Sequence, residues 1–226
     1  MNFRPVYLAA GMALAFVFAA QAAPSALGVV KYSKGNVKVT SGEPAATTDL
    51  QGSTLVLQGS KFESGENGKA VIRLLPDNAH MEIRPNSVYT LKRVKTKDKR
   101  LRRVVMENGE VVFGLKKKSE PVQCETPQTQ ATAAKGRFSC KTDEKGVSVF
   151  LVQDGELSVY NRPKDLTAIV RSGQKAISDL NGIKVTDATD SELEQVGFRQ
   201  NTLEVDFVNP QTEDFTTLEV EYETNF

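Results

Sequence analysis

Tryptophan is absent, histidine occurs once and cysteine twice among the 226 residues. A single histidine excludes His-rich metal centres and leaves any Ser-His-Asp hydrolase dependent on His80 alone. His80 follows Pro76-Asp77-Asn78-Ala79 near a turn, and none of Ser60, Ser64 or Ser87 stands in a nucleophile-elbow sequence, so it reads as a surface histidine. Two cysteines cannot build a disulfide-dense miniprotein, nor by themselves a four-ligand zinc site. No Gly-rich loop runs into a Lys-Ser or Lys-Thr pair, and the acidic residues lack EF-hand spacing. Nothing selects a carboxylate pair for glycoside hydrolysis. The reading is a non-enzyme with no cofactor and no metal. Hydrophobic residues make up 39% and charged residues 25%, which argues for a soluble globular chain and against disorder or a multispanning membrane protein.

What is present begins with an address. Arg4 precedes the uncharged apolar stretch Val6 to Ala20, and Ala20-Gln21-Ala22 is a small-x-small triplet. These are the parts of a secretory signal peptide over 1–22, with cleavage expected after Ala22. The stretch falls short of the roughly 20 apolar residues that cross a bilayer as a helix. Export is therefore expected, to the periplasm or the cell surface, with no transmembrane segment after cleavage.

Strand patterns follow. Val37 and Val39, then Leu55 and Leu57, alternate with polar neighbours, and Ala70 to Leu75 is a stronger apolar run ended by Pro76-Asp77-Asn78. One unit recurs as Lys34-Gly35-Asn36-Val37, Asn108-Gly109-Glu110-Val111 and Asp154-Gly155-Glu156-Leu157. In each a Gly-containing turn, of the kind tight hairpins require, releases into an alternating strand. Residues 40–52 and 119–135 read as loops. Only Asp190 to Val196, with an acidic start, reads as a turn or two of helix. The class is all-β.

In order along the chain, these segments resemble the periplasmic FecR-type domain over about residues 28–178. Gly35-Asn36-Val37-Lys38-Val39 resembles its opening strand, and Leu55 through Gly59 to Phe62 its Leu-x-x-Gly-x-x-Phe segment. The run Ala70 to Leu75 with Pro85-Asn86-Ser87 follows. Val104 to Phe113 resembles its Gly-Glu-Val ridge, Glu125-Thr126-Pro127 its Thr-Pro turn, and Val152 to Val159 with Ser172-Gly173-Gln174 its closing elements. Lys135-Gly136-Arg137-Phe138 departs from the family's Gly-Thr-x-Phe. The resemblance implies a twisted β-sandwich or solenoid-like stack of short antiparallel strands over 23–180. Residues 181–226 would form an acidic extension with a short helix and a β-hairpin. The family's sigma-regulator branch adds a cytoplasmic helical domain and a membrane helix before this module. Here only a leader is expected before it, so sigma-factor regulation is not carried over.

The resemblance also bears on Cys124 and Cys140. The corresponding family positions are inward-pointing strand positions, and two inward cysteines on neighbouring strands of an exported protein can oxidise to a disulfide. The alternative is a pair of buried thiols acting as small apolar residues.

Charge is unevenly placed. Residues 23–189 hold 27 basic and 18 acidic side chains, whereas 190–226 hold one basic and ten acidic ones. The densest basic run holds Lys92, Arg93, Lys95, Lys97, Lys99, Arg100, Arg102 and Arg103, and Lys97-Asp98-Lys99 reads as the tip of a hairpin with two basic arms. It is either a solvated ribbon that discourages edge-to-edge pairing or a contact for a polyanionic partner. The run has no aromatic residue for base stacking, so nucleic acid is not expected. In the tail, 202–208 and 217–223 alternate strictly. One face of that hairpin would carry Glu204, Asp206, Glu219, Glu221 and Glu223 without a basic neighbour. The functional reading is an exported, non-catalytic binding or scaffolding protein of the cell envelope, contacting an unidentified protein or glycan. An envelope-sensing component acting through a separate membrane regulator is the first alternative, and an envelope hydrolase the second.

Overall fold

A computed structural model describes residues 25–42, 44–97 and 99–196, and the backbone of 200–208 and 215–223. The expected leader, 1–22, lies outside the described residues. The chain opens with β1 (Ala26–Lys34), β2 (Val37–Ser41), β3 (Ala46–Asp49), β4 (Leu55–Leu57), β5 (Lys61–Ser64) and β6 (Lys69–Leu74). It continues with β7 (His80–Ile83), β8 (Val88–Lys95), β9 (Arg100–Leu115), β10 (Val122–Glu125), β11 (Thr129–Ala133) and β12 (Gly136–Thr142). The later elements are β13 (Ser148–Asn161), β14 (Leu166–Arg171), β15 (Gln174–Asp179), β16 (Gly182–Asp187), α1 (Asp190–Val196), β17 (Gln200–Val208) and β18 (Phe215–Glu223). The protein is all-β, as the alternation predicts.

Two sheets share one hydrophobic interior and two long strands. The first runs β4-β1-β6-β7-β9-β12-β13-β15-β16, antiparallel throughout. The second runs β3-β2-β5-β8-β9-β10-β11-β13-β14, with β9 and β10 parallel and the other pairs antiparallel. β9 gives residues up to Asn108 to the second sheet and those from Gly109 to the first. β13 makes the reverse crossing, pairing with β15 up to Val152 and with β14 from Glu156.

This arrangement corrects the reading of the repeated Gly unit. Asn108-Gly109 and Asp154-Gly155 are corners inside β9 and β13, not hairpin turns, and Gly35 likewise carries the chain from β1 in one sheet to β2 in the other. At Gly109 φ is +96°, and a Cβ built there would stand 2.3 Å from the Ser87 Cα. A side chain is excluded by both conformation and space. Ser87 fastens this corner by donating to the Glu110 carbonyl at 3.1 Å and accepting the Glu110 N–H at 2.9 Å.

The core follows from strand alternation. In β6, Ala70, Ile72 and Leu74 are buried while Lys69, Val71 and Arg73 are less so. Facing the interior, the cross-strand partners Phe62 and Tyr89 meet with tilted rings and Phe113 and Phe138 with stacked ones, each pair with ring centroids 5.4 Å apart. The loop expectations fail in part. β3 forms within 40–52, and β10 and β11 within 119–135, because pairing partners stand ready for these polar, Thr-rich segments. α1 forms where expected and opens with a capping box in which the Thr189 N–H donates to Glu192 at 2.9 Å and the Glu192 N–H to Thr189 Oγ1 at 3.3 Å. β17 and β18 pair antiparallel, with Glu204 opposite Glu219 and Thr202 opposite Glu221.

Candidate functional site

The β8–β9 ribbon sets like charges directly opposite one another: Lys92 with Arg103, Arg93 with Arg102, and Lys95 with Arg100. Such pairs destabilise a ladder unless their charge is answered. The fold answers three of these residues from within. Arg102 is fully buried, against the expectation of a surface contact, because the end of the sandwich closes over it. Its Nη2 donates to Asp77 Oδ2 at 2.7 Å and to the Leu75 carbonyl at 3.1 Å, and its Nη1 donates to the Glu120 carbonyl at 3.2 Å. Its Nε stands 3.6 Å from Glu120 Oε2. Arg93 shares the same carboxylate, Nε to Oε2 at 2.9 Å, and donates to the Leu75 carbonyl. Arg103 lies 3.6 Å from Glu125 and donates to Gln123 at 2.9 Å.

Asp77 is the hub. The turn Pro76-Asp77-Asn78 points its carboxylate back over the strand ends, where Oδ2 also accepts the Glu120 N–H at 2.6 Å and Oδ1 the Ala79 N–H at 3.1 Å. Burial by itself would raise this carboxyl. The hydrogen bond from Glu120 N–H, then those from Arg102 and Ala79 N–H, outweigh it and hold the group below its ordinary value. The cluster is a structural seal that uses Arg93 and Arg102 as its cations.

The remaining basic residues of the run, Lys92, Lys95, Lys97, Lys99 and Arg100, are exposed. The tip turns back through Thr96, whose N–H and hydroxyl both donate to the Lys99 carbonyl at 2.8 Å. Asp98 lies outside the described residues. Sequence reasoning missed a second basic segment, Lys116-Lys117-Lys118, which is also exposed. It leaves the far end of β9, yet the Gly109 corner has brought that end back beside the ribbon. Glu120, two residues on, is the carboxylate held by Arg93 and Arg102, and the Arg102 N–H donates to the Pro121 carbonyl at 2.8 Å. A triplet of lysines was visible in the sequence; its neighbour in space was not. One end of the sandwich thus presents Lys95, Lys97, Lys99, Arg100 and Lys116 to Lys118 to solvent.

Cys124 and Cys140 are buried and carried as thiols. They stand on β10 and β12, strands of facing sheets and not neighbours in one sheet, and touch across the interior. Burial, then the hydrogen bond to Cys124, pushes the Cys140 thiol well up. His80 is half-buried on β7, in register with Arg73 and Gly114, because the sheet covers a position that the nearby turn suggested was open. The side chains of Glu204, Asp206, Glu219, Glu221 and Glu223 lie outside the described residues. Among the described residues no cluster of three His, Cys, Asp or Glu side chains is placed to hold a metal ion, and no helix is long and apolar enough to cross a membrane.

The family model described as FecR protein matches residues 60–158, from the start of β5 into the second half of β13. Over that stretch, a little under half of the chain, the sequence is similar to FecR proteins. The matched segment contains the basic ribbon, both cysteines and the corners at Gly109 and Gly155, while β1 to β4 and β14 to β16 lie outside it. Two crystal structures of a proposed anti-sigma factor from Parabacteroides distasonis, at 2.50 and 1.65 Å, align with this chain at 18% and 19% identity. Each has a TM-score of 0.49 and covers 59% of this chain and 62% of the other, so the alignment spans less than two thirds of those proteins. No curated protein matches the sequence.

Proposed function

We propose that this chain is an exported, non-catalytic binding component of the cell envelope, and that the basic end of its FecR-type sandwich makes the contact. The observation that carries the reading is the sorting of the arginines and lysines at that end. Carboxylates inside the fold take Arg93, Arg102 and Arg103, while Lys95, Lys97, Lys99, Arg100 and Lys116 to Lys118 remain exposed. Two loops far apart in sequence supply one sign of charge to one surface, which attracts an anionic partner and speeds its encounter. A solvated ribbon that only prevents edge pairing would not need the second loop beside it. The test is capture from native envelope extract at low salt by the mature protein and by a Lys97→Glu/Lys99→Glu/Lys117→Glu variant of unchanged thermal stability. The reading expects the wild type to retain an envelope component and the variant to lose it. Equal retention by both would overturn it.

A second reading is favoured by the FecR match itself: the bound state would be passed to a separate membrane regulator, making the chain a sensing component in signal transduction. Under that reading the captured component includes a membrane protein, and deleting the gene alters a regulon. Under pure scaffolding, deletion changes the location of the partner without altering transcription.

A further inference from the structure

The class of anionic partner can be narrowed, and the narrowing rests on the binding reading above. The two basic loops share one pole because β9 and β10 run in the same direction. Arg102 pairs with Val122, and the Arg102 N–H donates to the Pro121 carbonyl at 2.8 Å. The turn that precedes β10 therefore stands beside the start of β9. That turn is tight: the Ser119 N–H donates to the Lys116 carbonyl at 2.9 Å, and Ser119 Oγ accepts the Lys116 N–H at 2.9 Å. The ribbon projects past the sealed cluster, since Lys95 still pairs with Arg100 and the chain reverses only beyond them, between Thr96 and Lys99.

What each loop lacks decides what it fits. The arginines that could grip a single carboxylate or phosphate with a planar fork, Arg93, Arg102 and Arg103, hold carboxylates of this chain instead. Apart from Arg100 the exposed cations are lysines, which act as hydrated point charges. Among the described residues no carboxylate pairs with any of them. Asp98, the one acidic residue between Lys95 and Arg100 in the sequence, subtracts a single charge. Neither loop has an aromatic ring on which a sugar or a base could stack. The exposed large apolar side chains, among them Tyr32, Leu55, Leu166 and Leu180, lie outside both loops. A cluster of point charges on a protruding end, without forks or stacking platforms, matches a surface whose own charges can move to meet it. We infer that the pole formed by Lys95 to Arg100 and Lys116 to Lys118 docks on the anionic phospholipid headgroups of a bilayer. The contact is electrostatic and stays at headgroup level, because neither loop has an apolar side chain to insert. The Gly109 corner, beyond the far end of the β9 stretch that begins at Arg100, then faces away from the membrane.

The experiment is co-sedimentation of the mature protein, acidic extension included, with vesicles of phosphatidylcholine alone or with about 30% phosphatidylglycerol, at about 50 and 500 mM salt. One variant carries Lys97→Glu, Lys99→Glu and Lys117→Glu. A control carries the same charge change at the opposite end, as Lys34→Glu, Lys145→Glu and Lys164→Glu. Lys34 precedes the Gly35 corner, Lys145 lies in the turn beyond Thr142, which pairs with Gly109, and Lys164 lies in the turn after Asn161, which pairs with Thr129. Each lysine beside an anionic surface raises partitioning about fivefold. The wild type and the control should therefore bind the anionic vesicles at low salt, and the tip variant should bind at least about 100-fold more weakly. High salt should weaken the wild type at least about tenfold, and phosphatidylcholine alone should retain none of the three. A wild type that leaves the anionic vesicles unbound at low salt, or a control that loses as much binding as the tip variant, would overturn the inference. If the wild type ignores the vesicles while envelope extract or an anionic polysaccharide column still retains it through the same lysines, the lipid assignment falls and the binding reading stands. If nothing retains it, both fall.

Discussion

Removing the Asp77 carboxylate is the sharpest perturbation of the sealed end. Asp77 accepts Arg102 Nη2 at 2.7 Å, the Glu120 N–H at 2.6 Å and the Ala79 N–H at 3.1 Å. Asp77→Ala leaves the fully buried Arg102 with the Glu120 carboxylate at 3.6 Å, which Arg93 already shares, and with backbone carbonyls. Breaking a buried ion pair by removing one partner costs about 3–5 kcal/mol, and the residual Glu120 contact places this case near 3. Asp77→Asn keeps one acceptor oxygen, puts an NH2 where the other oxygen accepted, and removes the charge, so about 2 kcal/mol or more is expected. Urea unfolding at pH 7 reads both as a lower midpoint with an unchanged slope. The pH dependence has a definite sign. The folded Asp77 carboxyl lies below its ordinary 3.8, so its stabilisation is fully present above that value and is lost as pH falls through the lower, folded one. The gap between wild type and Asp77→Asn should therefore hold from pH 7 to 5 and shrink below about pH 4. A loss under about 1 kcal/mol for Asp77→Ala, or a gap unchanged at pH 3, would refute the reasoning.

Other outcomes follow from single sites. Gly109→Ala should cost about 3 kcal/mol in the same unfolding assay, from positive φ and the clash with Ser87, whereas Gly173→Ala, at φ +79° with no atom within 4 Å of the added Cβ, should cost about 1. The Glu192 carboxyl, held down first by the 2.6 Å contact with Lys175 and then by the Thr189 N–H, should titrate at about 2 by NMR, and its support of α1 should persist from pH 7 down through ordinary carboxylate values. An apparent value near 4.5 would show that the contact is not held in solution. Cys124 and Cys140 are expected to form an inter-sheet disulfide on export, the two thiols losing two protons and two electrons to an envelope disulfide carrier before the sheets close over them. Titration under denaturant should find no free thiol in exported protein and two in protein made in the reducing cytosol.

Local pattern carried much of this architecture. Period-two alternation marked β2, β4 and the β17–β18 pair, an apolar run marked β6, the turn at Pro76-Asp77-Asn78 was legible, and the hairpin at 97–99 follows from two basic arms around a polar tip. What stayed hidden was non-local. Asn-Gly and Asp-Gly have the same chemistry in a hairpin and in a sheet-switching corner. Only the partners of β9 and β13 on either side distinguish the two. The same limit applied to the basic run. Arg102 and Lys99 look alike in sequence, and the carboxylates that draw Arg102 inward come from residues 25 and 18 positions away. Lys116 to Lys118 joined the site because β9 doubles back, a fact with no signal inside the triplet. The cysteines read correctly as buried, but their sheets did not follow from alternation, which gives the facing direction of a strand and not the layer it belongs to.

The central claim is that one charged end of the sandwich makes the functional contact. A photo-reactive residue placed in the intact envelope at Lys97, at Lys117, or at the exposed control Leu180 tests it most directly. The account predicts the same defined adduct from Lys97 and Lys117 and none from Leu180. Adducts of equal yield from all three positions, or an adduct from Leu180 alone, would contradict it.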